Sequence, residues 1–373
     1  MNRLSRFHVR VTAAALGTLG LTLLTGTPAA ADDSRIGSNF VYTMSNRSAG
    51  NSVLGFRVEG EGLFTPIGTF STGGNGTGAG LGSQGAIALA EGGSRLLAVN
   101  AGSDTVSAFA VDEGGQLDLL GTAPSGGTDP ISVTARGRLV YVLNAGTKTV
   151  SGMLLGDHGL TPLAGSTRSL STAALAPVQA SFTPDGELLI VTEKASNTID
   201  TFMVGKHGLL GQLITNVSDG TTPFGFDFDR AGRVVVSDAS GGAAGASAAT
   251  SYRTGEDGTL HAINQVPDGQ SAACWVVVDR RGNHAYVTNT GSGTVSAYSI
   301  SHDGSLILLA GIAATTGGHP IDEAIGGQRL FVLDAAGRIV SARILTSGLL
   351  GAVSIGATAL PGSATGLATT SED

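Results

Sequence analysis

A short pattern recurs along this chain at a nearly constant interval, and it limits the fold more than any single residue does. Its clearest copy is Tyr286-Val287-Thr288-Asn289, a turn over residues 290–293, and then Thr294-Val295-Ser296-Ala297-Tyr298. Positions cognate with Asn289 are Asn100, Asn144, Glu193, Asp238 and Asp334, and the successive steps along the series are 44, 49, 45, 51 and 45 residues. Val, Ile, Tyr, Phe and Thr fill the intervening strands, while Gly, Asp and Asn fill turns that need positive φ. A period in the forties made of short strands and turns marks β-propeller blades. One blade cannot bury both of its faces, so the chain must close a ring around a central channel.

Six complete units start near residues 85, 130, 177, 223, 272 and 319. A seventh is split. Residues 40–43, 53–58 and 63–70 supply three strands but no first strand, and residues 364–369 are a strand left over at the other end. The expected fold is an all-β, seven-bladed β-propeller, closed by pairing of the C-terminal strand with the N-terminal blade, because an open ring leaves two strand edges unpaired. Residues 239–251, rich in Gly, Ala and Ser, read as a longer loop in the fifth blade, and residues 71–85 as an irregular link between the first and second. Within that link, Gly80-Leu81-Gly82-Ser83-Gln84-Gly85 formally fits a dinucleotide fingerprint. It leads into a strand, however, with no helix to hold a pyrophosphate, and reads as a flexible connector.

Residues 1–31 read as a secretory signal peptide: Arg3, Arg6 and Arg10, an apolar stretch, then Ala29-Ala30-Ala31. Residues 32–373 then form a single propeller domain, secreted or held at the cell envelope. No segment is a candidate for a membrane span. The formal charge is −8, and losing three arginines takes it to about −11. An acidic chain of this kind does not suit nucleic acid. The one cysteine, Cys274, excludes an intrachain disulfide and reads as a small core residue. No His, Cys and carboxylate spacing suits a metal, and no cofactor is expected. A monomer with a small-molecule or polymer ligand at the channel mouth is expected.

Antiparallel pairing sets the start of each first strand beside the end of each second strand, on one rim. That gathers Gln84, Asp129, Gln179, His319 and Asp322 with Asn100, Asn144, Glu193, Asp238 and Asn289 as candidate ligand-binding or catalytic residues. Asn and Asp at hairpin ends also cap turns through the backbone. Glu193 breaks the Asn/Asp series and is the candidate catalytic carboxylate, with His319 as a candidate general base.

The Tyr286-Val287-Thr288-Asn289 repeats resemble the YVTN type, and residues 38–370 are similar to the lactonase family of seven-bladed propellers. The strongest local likeness is Phe182-Thr183-Pro184-Asp185-Gly186 followed by Glu193-Lys194-Ala195-Ser196-Asn197-Thr198-Ile199. That family includes 6-phosphogluconolactonases and carboxymuconate lactonising enzymes. The resemblance implies an active glutamate at Glu193. The His and Arg that the family places at the start of this segment are replaced here by Ala176-Pro177-Val178. Two functions follow as expectations: hydrolysis or cycloisomerisation of a lactone or related small carbonyl compound, or a non-catalytic propeller that binds a ligand, polymer or protein through one rim.

Overall fold

Branched and aromatic side chains pack well on a pleated surface, and the Gly, Asp and Asn between them accept sharp reversals, so the repeats fold into antiparallel hairpins. The structure, a computed structural model, describes residues 39–60, 62–171 and 176–370; the expected leader at 1–31 lies outside the described residues. Within them the chain forms six four-stranded sheets and one five-stranded sheet. The inner strands are Ile87–Ala90, Pro130–Arg136, Pro177–Phe182, Pro223–Phe228, Ala273–Val278 and Pro320–Gly326 in blades two to seven, and Thr365–Thr369 in blade one. Each inner strand touches those on both sides, right around the ring.

Closure takes the expected form. Thr365–Thr369 pairs antiparallel with Asn39–Met44, setting Tyr42 opposite Ala368 and Thr43 opposite Leu367. Ser52–Glu59 and Leu63–Ser71 complete that sheet. The core lies between blades: Val41, Phe331, Leu333 and Leu367 pack between blades seven and one, and Leu96, Val142 and Met153 between two and three. A tyrosine on the second strand repeatedly ties one blade to the next. The hydroxyls of Tyr42, Tyr141 and Tyr286 donate at 2.9 Å to the carbonyls of Gly115, Gly208 and Gly348, each in a turn of the following blade.

The fifth blade departs from expectation at one point. Its third strand begins at Ala248, within the span read as loop, and Ala248–Thr254 pairs with Val234–Asp238. Small residues can form this strand because it is buried on both faces and its neighbours supply the bulk. No helix among the described residues is long and apolar enough to cross a membrane.

Candidate functional site

The recurrent Asn and Asp at the ends of the second strands are fully buried. Asn100 donates to Ser107 Oγ at 2.8 Å and to Thr105 Oγ1 at 3.2 Å, and accepts from Asn51 at 3.1 Å. Asn289 repeats this with Ser296 Oγ at 2.8 Å and Thr294 Oγ1 at 3.4 Å. Asn144 donates to Ser125 O and Ser151 Oγ, both at 3.4 Å. Glycines in the loops that cross to the next blade lie against these side chains: a Cβ on Gly74, Gly127, Gly220 or Gly318 would collide with Asn100, Asn144, Asp238 or Asp334. The series therefore fastens each crossover loop to its own blade. Asp238 accepts from Thr250 at 2.5 Å and Gln265 at 3.1 Å, and desolvation pushes its pKa up to about 7.

Glu193 is also fully buried. Its Oε2 accepts hydroxyls from Ser196 at 3.0 Å and from Ser171 and Thr198 at 3.2 Å. Burial first, and the neighbouring Asp200 carboxyl second, raise its pKa to about 8. Asp200 is held by the Ser171 amide and the Thr215 hydroxyl, both at 2.8 Å. His319 is exposed on the seventh blade, and its Nδ1–H donates to Thr290 O at 2.8 Å. No hydrogen bond or ion pair among the described residues joins Glu193 to His319. Asp129 is half-buried at φ 54°, and its amide donates to Asp104 at 2.7 Å. Ala176, Thr222 and Ala272 take the same left-handed conformation just before their inner strands, at φ 58°, 61° and 57°. The conformation belongs to the blade entry as a class.

The link before the second blade closes one end of the channel. Ser83 Oγ donates to Ile131 O at 2.8 Å, Trp275 Nε1 donates to Ser83 O at 2.9 Å, and Lys194 Nζ donates to Gly82 O at 3.2 Å while lying 4.8 Å from the Phe224 ring centre. From this anchored loop Gln84 crosses the ring from the second blade to the sixth. Its Nε2 donates to Val276 O at 2.8 Å and its Oε1 accepts from Val276 N at 3.3 Å, so one amide stands in for a missing strand. Gly225 leaves the room: a Cβ there would run into Gln84 Oε1. Gln179 makes the same bidentate contact with Phe226, at 2.9 Å and 2.7 Å, between adjacent blades.

Past Gln84 the channel widens into a cup of about 270 Å³, lined by later residues of the inner strands. Asp227, Asp322 and Glu323 are among the lining residues, with Asp227 half-buried while Asp322 Oδ2 and both Glu323 carboxylate oxygens are closed off from solvent, and the described lining holds no Lys, Arg or His. Of the rim candidates, Gln84, Gln179 and Asp322 reach the cup; the other rim candidates are not among its lining residues. Asp227 is half-buried, its Oδ2 held by the Val278 amide at 2.7 Å and Oδ1 by the Phe228 amide at 2.8 Å. Desolvation outweighs those two donors and lifts its pKa to about 6. Asp322 is buried, with Oδ1 on the Glu323 amide at 2.8 Å and the Leu367 amide of the first blade also easing its charge. Glu323 is 2% exposed, and the one group that eases its charge is the backbone amide of Thr288 on the sixth blade. Burial, then repulsion from Asp322 and Asp227, holds its pKa well above the usual range. Asp227 and Glu323 escaped the sequence reading, although an acid inside Phe224-Gly225-Phe226-Asp227-Phe228 or Pro320-Ile321-Asp322-Glu323-Ala324-Ile325 is a local signal, since inner strands are otherwise mostly apolar or neutral.

Among the described residues no three His, Cys, Asp or Glu side chains converge as a metal cage. Cys274 is buried and its thiol is pushed up to about 11 by desolvation, which suits a packing role.

Solved structures with the same fold include a Bacteroides fragilis protein provisionally assigned as a 6-phosphogluconolactonase, 19% identical over 92% of this chain and 99% of that one with a TM-score of 0.72. A periplasmic gluconolactonase of Pseudomonas aeruginosa is 16% identical, covering 89% and 98% of the two chains at a TM-score of 0.70. A Lactobacillus plantarum protein is 20% identical, covering 89% and 99% at a TM-score of 0.73. No curated relative matches the chain. The model of the seven-bladed β-propeller lactonases matches residues 33–157 and 238–325, more than half of the sequence, and the chain belongs to that family.

Proposed function

We propose that this protein is an exported lactone hydrolase whose chemistry takes place in the channel cup. The family supports lactone chemistry. The observation that carries the location is Asp227: a carboxylate oriented by two backbone amides, open to a cavity of substrate size, with its pKa near 6. A carboxylate so tuned is ionised at neutral pH yet basic enough to take a proton from water. Water attacks the lactone carbonyl as Asp227 removes its proton. The ring C–O bond then breaks, the alkoxide takes a proton, and an open-chain hydroxy acid results. Glu193, by contrast, has no exposed surface, and burial beside Asp200 raises its pKa to about 8.

A purified mature chain should open small lactones faster than buffer, measured by acid release in a pH-stat. Asp227→Asn should lower the rate about 10²–10⁴-fold. The second reading, a non-catalytic binding propeller, is favoured by the absence of any cationic side chain in the described lining to stabilise an oxyanion. Rates equal to buffer across a lactone panel would leave that reading in place.

A further inference from the structure

We propose that the outer wall of blades six and seven is a docking surface for a second copy of this chain, which joins two propellers side by side across a two-fold axis. This goes beyond the hydrolase reading and does not depend on it.

Apolar side chains left in water are spread unevenly over the molecule. Among the described residues twelve large hydrophobic side chains are exposed, and seven of them lie on blades six and seven. The other five are scattered over blades one to four. The outermost strand of blade six, Leu306–Thr315, carries Ile307, Leu309 and Ile312, with the two isoleucines 55% and 59% exposed. The outermost strand of blade seven, Leu350–Ile355, carries Val353 and Ile355, the latter 61% exposed. The two strands lie against each other, and the remaining pair of exposed leucines sits in the turn that leads into Leu350–Ile355. A narrow slot lined by Val295, Ala314, Val340 and Leu350 runs beside Val353 between the two blades, so the wall is apolar in depth as well as at its surface.

The seven side chains present on the order of 600 Å² of apolar surface at these exposures, the upper end for the largest patch on a monomer. Half-buried Leu308, Ala310 and Ala313 lie between them and bring the wall toward the roughly 800 Å² that each partner contributes to a standard interface. Outer strands that stay in water are usually guarded by a charge or a proline. Leu306–Thr315, the longest strand among the described residues, has neither.

Charge selects the occupant. The chain carries a formal −8, so two copies repel wherever their charged faces meet. Residues 306–315 and 344–356 contain no Asp, Glu, Lys, Arg or His, and across this wall two copies approach at the least electrostatic cost. A lipid surface suits it poorly, because such contacts draw on flanking Lys and Arg, and residues 283–328 hold neither. A two-fold contact uses the same patch on both copies and closes, which leaves no apolar wall for a third. Joined surfaces without charge on two acidic bodies also mean that added salt tightens the dimer.

Sedimentation velocity of the purified mature chain should show a species of twice the chain mass, with a Kd of about 10 µM or tighter. The Kd should fall between about 0.05 M and about 0.5 M NaCl. Ile312→Lys combined with Ile355→Lys should weaken association at least about 100-fold. Val217→Lys, at an isolated position on blade four that is 80% exposed, should leave it unchanged. All three positions are exposed, so each variant diluted to monomer should keep its Tm within about 2 °C of the wild type. A chain that stays monomeric to about 100 µM at both salt concentrations overturns the inference. A dimer unmoved by the lysine pair overturns it too, as does one weakened equally by Val217→Lys, which marks unspecific association. Flotation of a monomeric chain with phosphatidylcholine vesicles, abolished by the lysine pair, assigns the wall to lipid and also overturns it. None of these outcomes depends on whether the chain opens a lactone.

Discussion

Gln84→Ala is the sharpest probe of how the channel is sealed. The substitution removes an amide that pairs with Val276 at 2.8 Å and 3.3 Å across the ring, and it orphans a buried N–H and C=O on the sixth blade. An abandoned buried partner costs about 1–3 kcal/mol, and water entering the channel recovers part of it, so the net loss should be about 2–4 kcal/mol. At about 2 °C per kcal/mol for a domain of this size, the Tm should fall by about 4–8 °C. Gly225→Ala gives an independent route to the same seat, because its new Cβ would collide with Gln84 Oε1 and also lie 2.8 Å from Cys274 O. The two changes attack one contact. Their double mutant should be less destabilised than the sum of the singles by at least about 1 kcal/mol. Urea unfolding of the wild type, both singles and the double measures this directly. A loss below about 0.5 kcal/mol for Gln84→Ala, or strict additivity, refutes the view that Gln84 bridges the ring.

Further expectations concern the buried acids and the closure. Glu193 has a folded pKa near 8, above its unfolded value, so its stabilising contribution is full below the unfolded pKa, about 4.3, and is lost as pH rises toward 8. Glu193→Gln keeps a donor toward Asp200, and chemical denaturation should show the variant gaining on wild type by a few kcal/mol between pH 5 and about 8. A wild type whose stability does not fall across that window contradicts the raised pKa of Glu193. Deleting residues 364–370 removes the strand that pairs with Asn39–Met44 and exposes two edges, so light scattering should show aggregation and the cooperative unfolding transition should vanish. A monomeric truncation with a wild-type Tm would mean the ring does not depend on this strand.

Much of this was legible in the residues. The period and the turn chemistry specify blades, and the missing first strand at one end matches the spare strand at the other. The site was harder, for a geometric reason. Several inner strands carry an irregular step near their start: Pro177 pairs with Glu193 but Gln179 with Thr192, and Pro320 pairs with Asp334 but Asp322 with Leu333. One extra residue reverses which side chains face each way, so simple alternation misplaces the channel lining. This is why Asp322 was legible as a rim residue while Glu323 read as plain strand. Gln84 posed a different problem: its partner lies 192 residues away, and nothing local in Gly82-Ser83-Gln84-Gly85 encodes a crossing of the ring. Glu193 stood out because it breaks the Asn/Asp series, yet its neighbours are hydroxyls and Asp200, and the series itself holds the crossover loops.

The measurement that bears most directly on the account is the pH profile of kcat/KM for lactone opening in wild type, Asp227→Asn and Glu193→Gln. If the cup is the reaction site, wild-type activity rises through about pH 6 as Asp227 ionises, Asp227→Asn loses it while still unfolding cooperatively at a Tm lowered by a few degrees, since one of two backbone amides loses its acceptor, and Glu193→Gln keeps both rate and profile. An activity limb near pH 8 that disappears in Glu193→Gln while Asp227→Asn stays active would contradict it.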